Sequence, residues 1–296
     1  MSVKSQLGQL RLKARLALFE NNRPLSNYLL YRTYSMRAKG VWKKSARTIR
    51  PESAEIARQF AHEGVYLFSP RQDTALLKQL TTKVDHLFQS PDETISLEPG
   101  LLRLRRGYER LPELTDFFTG EIEEVIHDYY KSFFKLYSVN VYRTVPEASR
   151  PEKSFLWHYD NSPKAIIKLM VYLDEFIREE NGAMKLKPKP ISDELFRRGF
   201  WDRTRNQRFA SVLEDPATTK ILEGSVGTSI LFHVGRCIHK ATYPRIGHRD
   251  VVTFFIMPSV TYWKDHLKKN SHRMSLNTGY CENPFTDRSP ATGEYI

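Results

Sequence analysis

The apolar residues of this chain change their period near residue 138, and that change limits what it can fold into. Upstream the spacing is helical. Residues 5–20 carry two apolar stripes, through Leu7, Leu10, Ala14, Ala17 and Leu18 and through Leu12, Leu16 and Phe19, so that helix is expected to wedge against protein. Ser53 to His62 is expected as a helix with Ser53 as N-cap, ended by Gly64. Asp73 to Phe88 and Leu111 to Phe134 are expected as two more, with the short strand Val65–Phe68 before them. Downstream the period is two. Ser138 to Val145 alternates, and strands are expected at Phe155–Asp160, Ala165–Leu173, Gly227–His233 and Asp250–Met257. Helices followed by short strands with long, non-repeating connections predict a mainly β protein: one sandwich with flanking helices.

Trp157-His158-Tyr159-Asp160 places His-x-Asp inside one predicted strand. Side chains two apart on a strand share a face, so His158 and Asp160 project together, as two ligands of one metal must. A His-x-Asp alone is equally consistent with a surface hydrogen bond. His239, just after the Gly227–His233 strand, offers a third ligand, with His233 as a competitor or a core histidine. Two imidazoles and one carboxylate form the facial set of non-haem Fe(II) oxygenases, which leaves positions open for a co-substrate and O2.

Arg249 opens the apolar strand that follows, on one face with Val251, Thr253, Phe255 and Met257. A guanidinium in such a strand needs an anion, and a carboxylate gripped by two parallel hydrogen bonds suits it best. Arg245, beside Pro244 in a loop, is the alternative anchor; an exposed Arg249 is the bland one.

Taken together, His158-Tyr159-Asp160, His239 and Arg249 resemble the phytanoyl-CoA dioxygenase family of Fe(II)/2-oxoglutarate oxygenases. Val171-Tyr172-Leu173-Asp174-Glu175 leading to Glu180-Asn181-Gly182-Ala183-Met184 is similar too, over about residues 51–260. The resemblance implies a double-stranded β-helix core, a cupin-like jelly-roll with the metal at its mouth. It implies Fe(II) on His158, Asp160 and His239, with 2-oxoglutarate and O2 as co-substrates. Arg249 would hold the far carboxylate of 2-oxoglutarate, with Thr242 and Tyr142 as further contacts. Hydroxylation is the expected outcome; epoxidation, desaturation and ring closure would use the same site. Lys187-Pro188-Lys189-Pro190 departs from the family's Pro-Gly-Ser-His turn, which bears on the pocket rim. Related halogenases lack the aspartate, so Asp160 disfavours halogenation.

Charge separates the chain into parts. Residues 1–50 hold twelve Lys and Arg against Glu20, so nearly all of the net +12 sits there. This reads as a basic arm, helical and then a linker through Gly40 and Lys43–Arg50, ahead of an oxygenase domain at 51–296. Tyr28, Tyr31 and Tyr34 are expected to pack rather than to form a transit peptide. Such an arm can meet an anionic membrane peripherally. The insertion at 181–210 is also basic, with Phe196, Phe200, Trp201 and Phe209 interleaved. As a pocket lid at 185–215 it would suit a small anionic substrate, such as a sugar acid or a glycolipid or polysaccharide precursor. A solvated amphipathic helix explains the same pattern. Nucleic acid is a lesser alternative, since no specific motif for it is present. A non-catalytic jelly-roll binding protein and a metal hydrolase complete the alternatives.

No stretch approaches the ~18 apolar residues of a spanning helix, and no secretory signal pattern opens the chain. Two cysteines, Cys237 and Cys281, make no disulfide framework, so a cytoplasmic protein is expected. Cys237 reads as a core residue, and Asn161 as a hydrogen-bond partner of the site or a turn residue.

Overall fold

The computed structural model describes residues 23–45, 47–160, 166–271 and 274. The expected helix at 5–20, Asn161 and Cys281 lie outside them. Six helices of two turns or more are described: α1 (Arg23–Lys44), α2 (Pro51–Glu63), α3 (Thr74–Phe88), α4 (Gly120–Tyr130), α5 (Lys189–Arg197) and α6 (Trp263–Asn270). The strands of the main sheet are β1 (Val65–Phe68), β2 (Thr94–Glu98), β3 (Leu101–Leu104), β4 (Phe133–Thr144), β5 (Ile167–Tyr172), β10 (Ser229–Phe232) and β12 (Arg249–Ser259). They pair antiparallel in the order β1-β10-β5-β12-β4-β3-β2. Opposite lie a three-stranded sheet, β11 (His239–Lys240), β7 (Met184–Leu186) and β8 (Lys220–Leu222), and the pair β6 (Phe176–Ile177) and β9 (Gly224–Ser225).

Burial divides along the pleat. On one face of the main sheet, Leu169, Val171, Val252, Phe254 and Ile256 pack under α2, α3 and α4 with Phe60, Leu80 and Ile126. On the other face, Met170, Tyr172, Val251 and Phe255 meet Met184, Leu186 and Leu222 of the smaller sheet. The mainly β core with flanking helices is therefore as expected.

Several local expectations are corrected. Pro51 sets the start of α2, so its N-cap is Arg50, while Ser53 is buried and its hydroxyl donates to Glu124 at 2.7 Å. The single helix at 111–134 is broken: Thr119 caps α4 by accepting from Ile122, and Lys131 at φ 52 ends it, so β4 begins at Phe133. Gly40 is not in a linker, because α1 runs on to Lys44. Tyr34 and Ala38 are buried, and Trp42 stacks on His127 at 4.7 Å. That i, i+4 stripe is too narrow to stand out in a basic segment. Phe155–Asp160 is not a regular strand; a 3-10 turn at Lys153–Phe155 leads into one isolated bridge at His158.

The insertion is a folded layer. Leu195, Phe200, Phe209 and Leu213 pack against Trp157 and Ile238, while Phe196 and Trp201 stay exposed. Two of the four interleaved aromatics are thus core, not lid. Lys187 enters fully buried, and its Nζ reaches Val212 O (2.9 Å), Asp215 O (3.0 Å), Thr218 Oγ1 (2.8 Å) and Thr219 Oγ1 (2.7 Å). Burial lowers its pKa, but the ring of acceptors gives the ammonium what water would. Lys187→Met should strand those acceptors and cost about 2–4 kcal/mol. The expected result is a lower melting temperature with limited proteolysis starting between residues 203 and 219.

Candidate metal centre

His158 and His239 are held by each other. Their backbones exchange two hydrogen bonds, His158 N to His239 O and His239 N to His158 O, both 3.0 Å. Asp160 N donates to Val234 O at 3.0 Å, so the segment stays extended and the i, i+2 rule still applies without a regular strand. The insertion braces it. Asn206 accepts from Trp157 N (3.0 Å) and donates to Trp157 O (2.7 Å). Tyr159 donates to Ser192 O at 2.6 Å, and Ser192 Oγ accepts from Ile238 N at 2.9 Å.

The two imidazoles have fixed roles. Nδ1 of His158 lies 2.7 Å from Leu156 O, and Nδ1 of His239 lies 2.9 Å from Cys237 O. A carbonyl accepts only, so each Nδ1 carries the proton and each Nε2 presents its lone pair. Asp160 Oδ1 stands 3.3 Å from His158 Nε2 and 3.5 Å from His239 Nε2, and the three donor atoms lie within 4.8 Å of one another. Donors at right angles, each about 2.1 Å from an octahedral metal, would be about 3.0 Å apart. The donor set fits one such ion with small adjustments.

The electrostatics suit ligation. Burial and the second imidazole lower the pKa of His158, which favours the neutral ring that binds metal. Burial pulls Asp160 upward, but Lys168 and the two histidines outweigh it and hold the carboxyl well below its ordinary value. Lys168 Nζ sits 2.6 Å from Asp160 Oδ2 and over the Phe255 ring at 4.5 Å. Lys168 was not foreseen; a single lysine in the apolar Ala165–Leu173 run was the available signal.

Arg249 is fully buried, and burial lowers its pKa. Nη1 donates to Gly182 O and Nη2 to Thr144 Oγ1 at 3.0 Å, while Nε has no partner. Gly182, at φ 98, belongs to the Glu180–Met184 run, so its turn presents a carbonyl to the guanidinium. Arg245 is exposed and takes no part. Tyr142 lies on β4 opposite Val251 and packs on the inter-sheet core. The Thr242 hydroxyl donates to Ala183 O at 2.7 Å, leaving its lone pairs available. His233 is set apart: its ring faces Tyr129 of α4, and its amide donates to Gly64 O. Cys237 is a buried core thiol, and burial pushes its pKa up to about 12.

No protein-family model and no curated protein matches the chain. Solved structures do. The non-heme alpha ketoglutarate dependent epimerase SnoN from nogalamycin biosynthesis is 14% identical, over 71% of this chain and 84% of that one, with a TM-score of 0.53. HygX from Streptomyces hygroscopicus, with nickel, 2-oxoglutarate and hygromycin B bound, is 14% identical over 70% and 88%, at 0.50. EctD from S. alaskensis with bound Fe is 13% identical over 71% and 77%, at 0.50. The chain has their fold. The jelly-roll expectation therefore holds.

Beside Arg249 lies a second titratable group: Asp174, His248 and Asp250. Arg143 takes both oxygens of Asp250, at 2.8 and 2.6 Å, and Asp174 Oδ2 accepts from Asp250 N at 2.6 Å. Burial, then the charge of Asp250, push Asp174 up to about 7. An unfolded aspartate titrates near about 3.9. Between these values the folded chain holds the extra proton, so this contribution to stability is full at low pH and lost as pH rises through about 7. Melting curves should show the wild type losing ground to Asp174→Asn from about pH 4 to 7.

Proposed function

We propose that the chain is a non-haem Fe(II)/2-oxoglutarate-dependent oxygenase of the phytanoyl-CoA dioxygenase type, acting on a small anionic substrate. The observation that carries this reading is the convergence of His158 Nε2, Asp160 Oδ1 and His239 Nε2 with both Nδ1 atoms turned to carbonyls. Fe(II), binding 2-oxoglutarate and O2, would supply oxidative decarboxylation and removal of a substrate hydrogen. The side chains do the positioning. His158, Asp160 and His239 would occupy one face of the metal and leave the opposite positions open. Lys168 holds Asp160 Oδ2, which keeps the carboxylate single-toothed. Arg249 would receive the far carboxylate of 2-oxoglutarate through its unpartnered Nε, with Thr242 and Tyr142 nearby. Hydroxylation is the simplest outcome. SnoN is an epimerase and SnoK a carbocyclase, so other hydrogen-removal outcomes suit this fold equally.

One feature favours a second reading, a binding protein without turnover: Asp160 is already ion-paired with Lys168. Anaerobic titration with Fe(II) and 2-oxoglutarate separates the two. The oxygenase should develop a visible metal-to-ligand charge-transfer band, lost in Asp160→Ala and weakened at least about tenfold in 2-oxoglutarate affinity in Arg249→Ala. Folded wild-type protein with no band would leave the binding reading.

The exposed Arg37, Lys39, Lys43 and Lys44 of α1 support peripheral contact with an anionic membrane. Among the described residues no helix is long and apolar enough to cross one. Vesicles containing anionic lipid should retain the full chain at low salt and release it at high salt. Failure to bind at low salt removes the membrane role.

A further inference from the structure

Several basic side chains share the face of the main sheet that looks toward the smaller one, Arg249, Lys168 and Lys135 among them. A further one is Arg103 on β3. Leu102 and Leu104, its neighbours, pack into the helix-side core, so the pleat turns Arg103 the other way. Its cross-strand partner is Tyr142, which packs on the inter-sheet core and stands opposite Val251, two residues from Arg249.

Arg249 and Lys168 have partners. Arg103 is only 8% exposed, and its Nε and Nη2 are buried without a hydrogen bond. Glu98, buried on the adjoining β2, takes the Ser154 hydroxyl on one oxygen; its other oxygen is buried without a hydrogen bond, and neither is within ion-pair distance of Arg103. Among the described residues, no carboxylate forms an ion pair with Arg103. A guanidinium does not shed its proton to escape burial, so its need for an anion persists. Counting Glu98, Asp160 and the two carboxylates of 2-oxoglutarate against an Fe(II) ion, Lys168, Arg103 and Arg249 would still leave a positive excess.

We propose that Arg103 anchors an acidic group of the organic substrate, a carboxylate or a phosphate, distinct from the 2-oxoglutarate carboxylate assigned to Arg249. This rests on the oxygenase reading above. A planar fork fits either oxyanion, and a site near β3, one strand in from the β2 edge of the sheet, would orient the rest of the substrate toward the metal.

The test uses the full chain loaded with Ni(II) and 2-oxoglutarate, with inorganic phosphate and acetate as probes. At least one should raise the melting temperature of the wild type. The rise should vanish in Arg103→Gln and persist in Arg58→Gln, a change on the exposed face of α2. Affinity for 2-oxoglutarate, read from the Fe(II) charge-transfer band, should stay within about twofold in Arg103→Gln. Without ligands, Arg103→Gln should melt no lower than the wild type, because it removes an unpaired buried charge. Four results would overturn the assignment: no protection of the wild type, equal protection of both proteins, a loss of about tenfold or more in 2-oxoglutarate affinity, or a much lower melting temperature of Arg103→Gln without ligands. The third would make Arg103 a co-substrate contact, and the fourth a structural arginine. Failure of the oxygenase reading is seen separately, as no band in the wild type before any probe is added, and it would take this assignment with it.

Discussion

Two reciprocal backbone hydrogen bonds join residues 158 and 239, and the site depends on them. They bring together segments about 80 residues apart and set both imidazoles on one side. Each ring is then locked by a carbonyl two residues earlier in its own segment, Leu156 O for His158 and Cys237 O for His239. The repeated local geometry explains why both tautomers agree. The backbone therefore fixes the ligand atoms before any metal arrives, which lowers the ordering cost of binding.

Charge is the second constraint. Asp160, Lys168, Arg103 and Arg249 stand in a β interior where unpaired ions are costly. The face behind them, with Leu169, Val171, Val252 and Phe254, carries one buried ion pair at its end, Arg143 with Asp250, and otherwise packs apolar against the helices. One sheet thus serves two purposes by alternation. Its helix side supplies cohesion, and its other side carries ions that cohesion alone would not select.

Much of this was legible because the spacing rules are local. Two residues apart on an extended chain means one face, and this held for His158 and Asp160 although the expected strand proved to be an isolated bridge. Arg249 was legible from a charge opening an apolar run. Lys168 and Arg103 were not, because a lone cation in a strand reads as a solvated one until the opposite face is known to be packed. The helix break at Thr119 was hidden by apolar residues that kept helical spacing across it. In α1, a stripe of Tyr34, Ala38 and Trp42 was overshadowed by the basic residues around it. In the insertion, the reverse occurred: aromatic residues read as a rim include Phe200 and Phe209, which hold Trp157 in place.

The insertion leaves the smaller sheet from β7 and re-enters it at β8, and those two strands are paired, Met184 against Leu222 and Leu186 against Lys220. Its two ends are therefore neighbours, whatever lies between. Chain can be gained, lost or exchanged there without shifting a strand of the barrel. What such exchange must preserve is small: a hydrogen-bonding clasp on Trp157, a support under Tyr159 and Ile238, and a filling for the space beside them. The fold thus separates a part that evolution can vary from a part it must keep, and the seam runs through a single hairpin.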